Sequence, residues 1–211
     1  MSEIRIQQNR NLPDIVCKLG ENAHFDPIWL RQYFDECISQ GTVFKDNETI
    51  QVGWGILMLR DNGRNELIAH EPDFVSMPIQ WMDSVTNTIR FLSLQRSVCD
   101  LIDAGLEVPS LRQACVCRNF SKSSEISLKR EPDEENYSGW VLDFRDSDGT
   151  EEEMKSLYEV GINDHRLIPF FGLPASASVL INSQLIQIEF NGLKATSDKD
   201  PFLKKLLASW S

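Results

Sequence analysis

Thr49-Ile50-Gln51-Val52-Gly53-Trp54-Gly55-Ile56-Leu57-Met58-Leu59-Arg60 runs into the polar Asp61-Asn62-Gly63-Arg64-Asn65, and apolar character returns after Glu66 with Leu67-Ile68-Ala69. A run rich in Ile, Val, Leu and Trp, a turn holding Asn-Gly and a second apolar run predict a strand, a tight turn and a returning strand. Working outward, Asp26-Pro27 places an N-cap and a proline at the first helical position. Trp29, Leu30, Tyr33, Phe34, Cys37 and Ile38 then follow at helical spacing up to Gly41. On the other side, Asp83 or Ser84 through Ala104 reads as a second helix, stopped by Gly105. Its candidate buried positions are Val85, Ile89, Leu92, Val98, Cys99 and Ile102. This half therefore reads helix, hairpin, helix.

Glu107-Val108-Pro109-Ser110 marks a junction, which divides the chain into an N-terminal α+β region over 1–108 and a second α+β domain over 109–211. After the junction the pattern changes to short strands at Gln113–Arg118, Glu125–Arg130 and Gly139–Phe144. Thr150-Glu151-Glu152-Glu153 has the form of a capping box, opening a helix that carries Met154, Leu157, Tyr158 and Val160 up to Gly161. A helical turn is expected over 164–171, and a hairpin of Ser178–Ile181 and Gln184–Phe190 about Asn182-Ser183. Asp200-Pro201 opens a final amphipathic helix with Phe202, Leu203, Leu206, Leu207 and Trp210. The expected class is α+β: antiparallel sheets with packed helices, as two small subdomains or one composite domain.

The chain's 211 residues carry a net charge of −11, with 41% hydrophobic and 25% charged residues. That balance is globular, and the charge opposes binding to nucleic acid or to an anionic membrane, which both need cationic surface. It favours solubility and fast encounter with a basic partner. No run approaches the roughly 18 apolar residues that span a bilayer. Met1–Arg10 has no apolar core of the signal-peptide kind, so the expected location is the cytoplasm.

Chemistry-bearing motifs are sparse. Five cysteines (Cys17, Cys37, Cys99, Cys115, Cys117) lie scattered through apolar segments and read as buried thiols. Cys115-Val116-Cys117 would put two sulfurs on one side of a strand, but lacks a second pair to complete a tetrahedral metal site. His24, His70 and His165 have no metal-ligand spacing, and no nucleophile elbow, phosphate loop or dinucleotide fingerprint occurs. Cys99 or Cys115 with His165 could form a catalytic pair only if the fold brought them together. No catalytic residue, metal or cofactor is therefore assigned. The negative charge is concentrated between Glu131 and Glu153, where Arg145 is the only base. Three explanations compete: a solvated loop followed by an acidic helix N-terminus, a calcium loop at Asp146-Ser147-Asp148-Gly149 that lacks the full ligand pattern, and a docking face for a cationic protein. The docking face would comprise Glu131, Asp133, Glu134, Glu135, Asp146, Asp148, Glu151 and Glu152, with Tyr137 and Trp140 as aromatic anchors. For Trp140, a place in the core is the alternative.

An ordered series of motifs carries a family resemblance: Cys115-Val116-Cys117-Arg118-Asn119, Lys129-Arg130-Glu131-Pro132-Asp133, Tyr137-Ser138-Gly139-Trp140, Leu157-Tyr158, Asp164-His165-Arg166-Leu167-Ile168-Pro169-Phe170-Phe171 and Pro174-Ala175-Ser176-Ala177. Over roughly 113–181 the chain resembles the immunity protein family thirty-three, found beside polymorphic and secreted bacterial toxins. Tyr137 departs from the family's acid before Ser-Gly-Trp, and Asp143–Asp148 replaces its usual turn. The resemblance implies an immunity domain in the second half and a cognate toxin, delivered by contact or type VI secretion, as partner. A chain kept in the cytoplasm implies a toxin acting there, a nuclease being the commonest kind. An acidic surface would fill its basic cleft without catalysis. A small hydrolase and a regulatory module unrelated to toxins are the alternatives, and oligomeric state stays open.

Overall fold

The computed structural model describes residues 2–8, 11–20, 27–121, 123–145 and 151–210. The chain forms two compact units, Met1–Ser93 and Leu94–Ser211, so the division falls inside a helix, before the Glu107–Ser110 stretch. Each unit carries its own mixed sheet, in an α+β arrangement.

The first unit contains β1 (Ser2–Ile6), β2 (Asp14–Leu19), α1 (Ile28–Ser39), β3 (Thr49–Val52), β4 (Gly55–Asp61), β5 (Glu66–Pro72), β6 (Trp81–Met82) and the start of α2 (Thr86–Asp100). Strand order is β1-β2-β5-β4-β3, with β6 beside β5. β2 and β5 run parallel and the other pairs antiparallel. Period-two alternation sends Ile15, Cys17, Leu19, Leu57, Leu59, Leu67 and Ala69 to one face, where Leu30 and Phe34 of α1 and Val85 and Ile89 bury them. The expected single strand Thr49–Arg60 is in fact two. Gly53 takes φ +59 and the Val52–Gly55 pair closes a two-residue turn that aims Trp54 into the interior. The turn after Asp61 forms as expected, with Gly63 N–H donating to Asp61 Oδ1 at 2.8 Å. The two N-terminal strands are additions to the helix–hairpin–helix reading.

α2 starts later than expected because its cap is not local. The buried Glu71 carboxylate, on β5, accepts the N–H groups of Asn87 at 3.1 Å and Thr88 at 2.7 Å. Asp83 instead pairs with Lys18 at 2.5 Å. All six candidate buried positions of this helix are buried.

The second unit holds β7 (Ala114–Arg118), β8 (Ile126–Arg130), β9 (Tyr137–Phe144), β10 (Glu152–Ser156), α3 (Leu157–Asn163), a 3-10 helix (His165–Phe170), β11 (Ser178–Ile181), β12 (Ile186–Phe190), β13 (Leu193–Thr196) and α4 (Pro201–Ala208). Among the described residues its seven strands follow the order β10-β7-β9-β8-β11-β12-β13, with β7 and β9 the only parallel pair. Cys117, Leu142 and Leu128 in neighbouring strands share the buried face. The row Met154, Val116, Val141, Lys129, Ser178, Glu189, Lys194 crosses the whole sheet on the other face, and none of these residues is buried.

The capping box expected at Thr150–Glu153 is corrected. Glu152–Ser156 is a strand laddered on β7, and the box forms at Ser156 and Glu159, with Glu159 N–H donating to Ser156 Oγ at 3.1 Å. The Ser156-x-x-Glu159 signal sits directly before the apolar Leu157-Tyr158 pair, and pairing with β7 overrides the earlier acidic run. Asp200 and Pro201 open α4 as expected, Asp200 Oδ1 accepting from Leu203 N–H at 2.9 Å.

Candidate functional site

The acids proposed for docking begin in the connection between β8 and β9. Glu134 and Tyr137 exchange backbone hydrogen bonds of 2.9 and 3.2 Å, which makes Glu135-Asn136 a two-residue tip. Lower down, Glu131 N–H donates to Gly139 O at 2.8 Å, and Gln113 Nε2 donates to the carbonyls of Glu134 and Glu135 at 3.0 and 3.3 Å. Gly139 takes φ +78, and a Cβ there would lie 2.1 Å from the Glu131 carbonyl oxygen, so only glycine lets the two strands approach this closely. The loop is thus fixed by its own backbone, and the side chains of Glu131, Asp133, Glu134 and Glu135 are all exposed.

Beneath this loop lies a buried cation. The Arg130 side chain is only 1% exposed; its guanidinium sits 5.4 Å from the Trp140 ring centroid and donates through Nη1 to Phe171 O at 3.3 Å. Asp133, 58% exposed, lies 3.7 Å from its Nη2. Burial pulls the Arg130 pKa below its ordinary value, while Asp133, Glu107 and Tyr137 oppose that shift. Trp140 donates from Nε1 to the same Phe171 carbonyl at 3.3 Å and is 0% exposed. Trp140 is therefore corrected from interface anchor to core residue: alternation along β9 points it into the unit. Tyr137 is half-buried with its hydroxyl 3.5 Å from Glu131 Oε2, and burial together with Glu131 pushes its pKa up to about 12. Its hydroxyl keeps its proton at neutral pH. The motif Arg130-Glu131-Pro132 to Ser138-Gly139-Trp140 is thus the frame of a hairpin, and the charges it displays are the residues between.

The second acidic run is placed and balanced differently. Glu152 faces Arg118 across β10 and β7 at 3.1 Å, and Glu153 lies 3.1 Å from Lys155. Glu151, Glu152 and Glu153 are exposed, but two of the three have cationic neighbours. Glu152 pairs opposite Arg118, whereas the hairpin tip is tied to Gln113 at the other end of β7. At about 3.3 Å per residue the two ends of β7 are roughly 13 Å apart, so the acids between Glu131 and Glu153 divide into two groups. Asp146 and Asp148, with the calcium-loop reading of 146–149, lie outside the described residues.

The thiols are turned inward. Cys17, Cys99, Cys115 and Cys117 are buried; Cys115 and Cys117 share one side of β7 with their sulfurs 3.8 Å apart. Burial pushes Cys17 up to about 12 and Cys99 up to about 11. Cys115 is raised by the hydrogen bond from its neighbour Cys117 and by burial. Cys99 donates to Gly172 O at 3.3 Å and Cys115 to Lys155 O at 3.4 Å. The Cys17, Cys99 and Cys115 thiols are thus protonated at neutral pH and make poor nucleophiles. Among the described residues no group of three or more His, Cys, Asp or Glu is placed to hold a metal ion. No protein family, no curated protein and no solved structure matches the chain.

Proposed function

We propose that this chain is an immunity protein that binds a bacterial toxin in the cytoplasm and blocks it by presenting the Glu131–Glu135 loop to a cationic cleft. The observation that carries the reading is the loop itself: four exposed carboxylates on a backbone held by Gly139, Gln113 and the Glu134–Tyr137 pair. A nuclease cleft must be cationic to hold phosphates, so a fixed acidic loop meets it with complementary charge. The net charge of −11 adds long-range steering toward such a partner. The resemblance of the motif series over roughly 113–181 to immunity protein family thirty-three points toward the same reading. A cytoplasmic site of action is compatible with the absence, among the described residues, of a helix long and apolar enough to cross a membrane.

The acids form two groups and not one continuous face. Glu151 and Glu152 contribute charge at the far end of β7, and the docking contact is assigned to Glu131, Asp133, Glu134, Glu135 and Tyr137. The test is a binding titration at low salt against the polypeptide encoded beside this chain's gene. The variant combines Glu131→Gln, Asp133→Asn, Glu134→Gln and Glu135→Gln. Association about tenfold slower is expected, with protection of cells lost in parallel. Affinity within about threefold of the native chain at low salt, where steering is strongest, would sink the docking role.

A further inference from the structure

The first sheet carries, on the face turned away from its hydrophobic core, a pocket in which cations outnumber acids. β2, β5 and β4 send Cys17, Ala69 and Leu59 into the core, so the residues that follow them, Lys18, His70 and Arg60, stand on the other face. Lys18 and His70 are neighbours across the parallel pair, one step beyond the Cys17–Ala69 register, and Arg60 pairs opposite Ile68. Together with the turn after β4 and with Asp83, these side chains line a concavity of about 430 Å³. That is within the size range of small-molecule sites. Ile68, almost wholly buried, gives it a patch of apolar wall.

Lys18, Arg60 and Arg64 face two carboxylates, Asp61 and Asp83. Both carboxylates are already engaged: Asp83 holds Lys18 at 2.5 Å, and Asp61 Oδ1 accepts from Gly63 N–H at 2.8 Å. The acids just outside the pocket are engaged as well. Asp46 Oδ1 accepts the Asp61 N–H at 2.8 Å, and Glu66 takes Arg5 and the Asn62 amide, each at 2.6 Å. Arg60 and Arg64 are exposed, and among the described residues neither makes an ion pair. Their surroundings are nonetheless ordered. Arg64 N–H donates to Asn62 Oδ1 at 2.8 Å within the turn, and His70 Nδ1 donates to Ile68 O at 3.0 Å, which fixes the ring on its strand.

We infer that this pocket binds a phosphoryl group, with Arg60 and Arg64 as the forks that hold it and Lys18 as a third positive charge. Planar guanidinium groups match phosphate oxygens two at a time, and the two arginines have no carboxylate to give up first. A lone carboxylate would bring one charge and two oxygens to three cations, whereas a phosphate monoester brings nearly two charges and three acceptor oxygens. The concavity has room for more than the phosphoryl group, which suits a small phosphorylated molecule. A nucleic-acid strand fits poorly, since Asp61 and Asp83 would meet the phosphates on either side. The inference is independent of the immunity reading, because it uses only charges local to this pocket.

The test titrates the full chain at low salt with inorganic phosphate and with glycerol 3-phosphate, followed by amide chemical shifts. Saturable shifts at Lys18, over 60–64 and at His70 are expected, with a dissociation constant of about 1 mM or tighter. Arg60→Gln and Arg64→Gln should each weaken binding about fivefold or more. Arg112→Gln, which removes an exposed arginine of the other unit, should leave it unchanged. Tighter binding of glycerol 3-phosphate identifies the ligand as a phosphorylated molecule, and tighter binding of inorganic phosphate identifies it as the free ion; either result supports the site. No saturable shift with either probe up to about 20 mM, or equal affinity in the Arg60 and Arg64 variants and the native chain, overturns the inference. So does a loss in Arg112→Gln as large as theirs, which would mean that any surface cation serves.

Discussion

The hairpin between β8 and β9 and the knuckle between β5 and β6 are built alike and display opposite chemistry. Each is rooted by a residue of positive φ beside buried aromatic rings: Gly139 next to Trp140 in one, Phe74 stacked on Trp54 in the other. Each root is locked by backbone hydrogen bonds, Glu131 to Gly139 and Asp73 to Gln80. The tips then diverge: four exposed carboxylates against Val75 and Met77. Rigidity in the root and chemistry in the tip are therefore separable. Charge acts over a Debye length and sets the rate of encounter.

That separation can be attacked at the roots first. Gly139→Ala is expected to have the largest effect, costing about 4 kcal/mol or more in a denaturant titration, because its Cβ would overlap the Glu131 carbonyl at a left-handed φ. A cost under about 1 kcal/mol would mean that the hairpin base is free to move. Phe74→Ala follows at about 3 kcal/mol, from the cavity it leaves beside Trp54 and Phe91. Amide exchange across 73–82 should accelerate with it; unchanged exchange would show that the knuckle does not depend on its aromatic root. Neutralising the four loop acids should shift stability by no more than about 0.5 kcal/mol while slowing association, which separates tip from root.

Glu71 gives a test that is read in pH. Burial raises its pKa above the ordinary 4.5, against the Thr88 and Asn87 backbone hydrogen bonds that favour its charged form. As pH rises the unfolded chain releases this proton before the folded chain does. Stability from Glu71 is therefore whole below pH 4.5 and falls as pH climbs through the raised folded value. Glu71→Gln should remove this fall from the pH dependence of the unfolding free energy. An identical slope in the variant would mean that the carboxyl is not held in this way.

Much of the second unit was readable from local signals. The strands near Gln113–Arg118, Glu125–Arg130 and Ser178–Ile181 carry alternating or continuous apolar runs, and Asp200-Pro201 announces α4. What escaped reading depends on partners distant in sequence. β10 is a strand because β7 lies beside it, against a Thr-x-x-Glu run that reads locally as a cap. α2 is capped by Glu71, which precedes the helix by a whole loop. Trp140 in a strand reads equally as core or anchor until the register with Arg130 shows which face it takes. Val75, Met77 and Met82 spell burial in the sequence, and only their exposure in the fold shows that they face outward.

The central claim is that the Glu131–Glu135 loop steers a cationic partner, and stopped-flow kinetics with the polypeptide encoded beside the gene tests it most directly. Association and dissociation rates are measured at low and high salt for the native chain and the four-acid variant. The acid variant is predicted to associate about tenfold more slowly at low salt, with the difference shrinking at high salt. An association rate within about threefold of native at low salt would contradict the steering role.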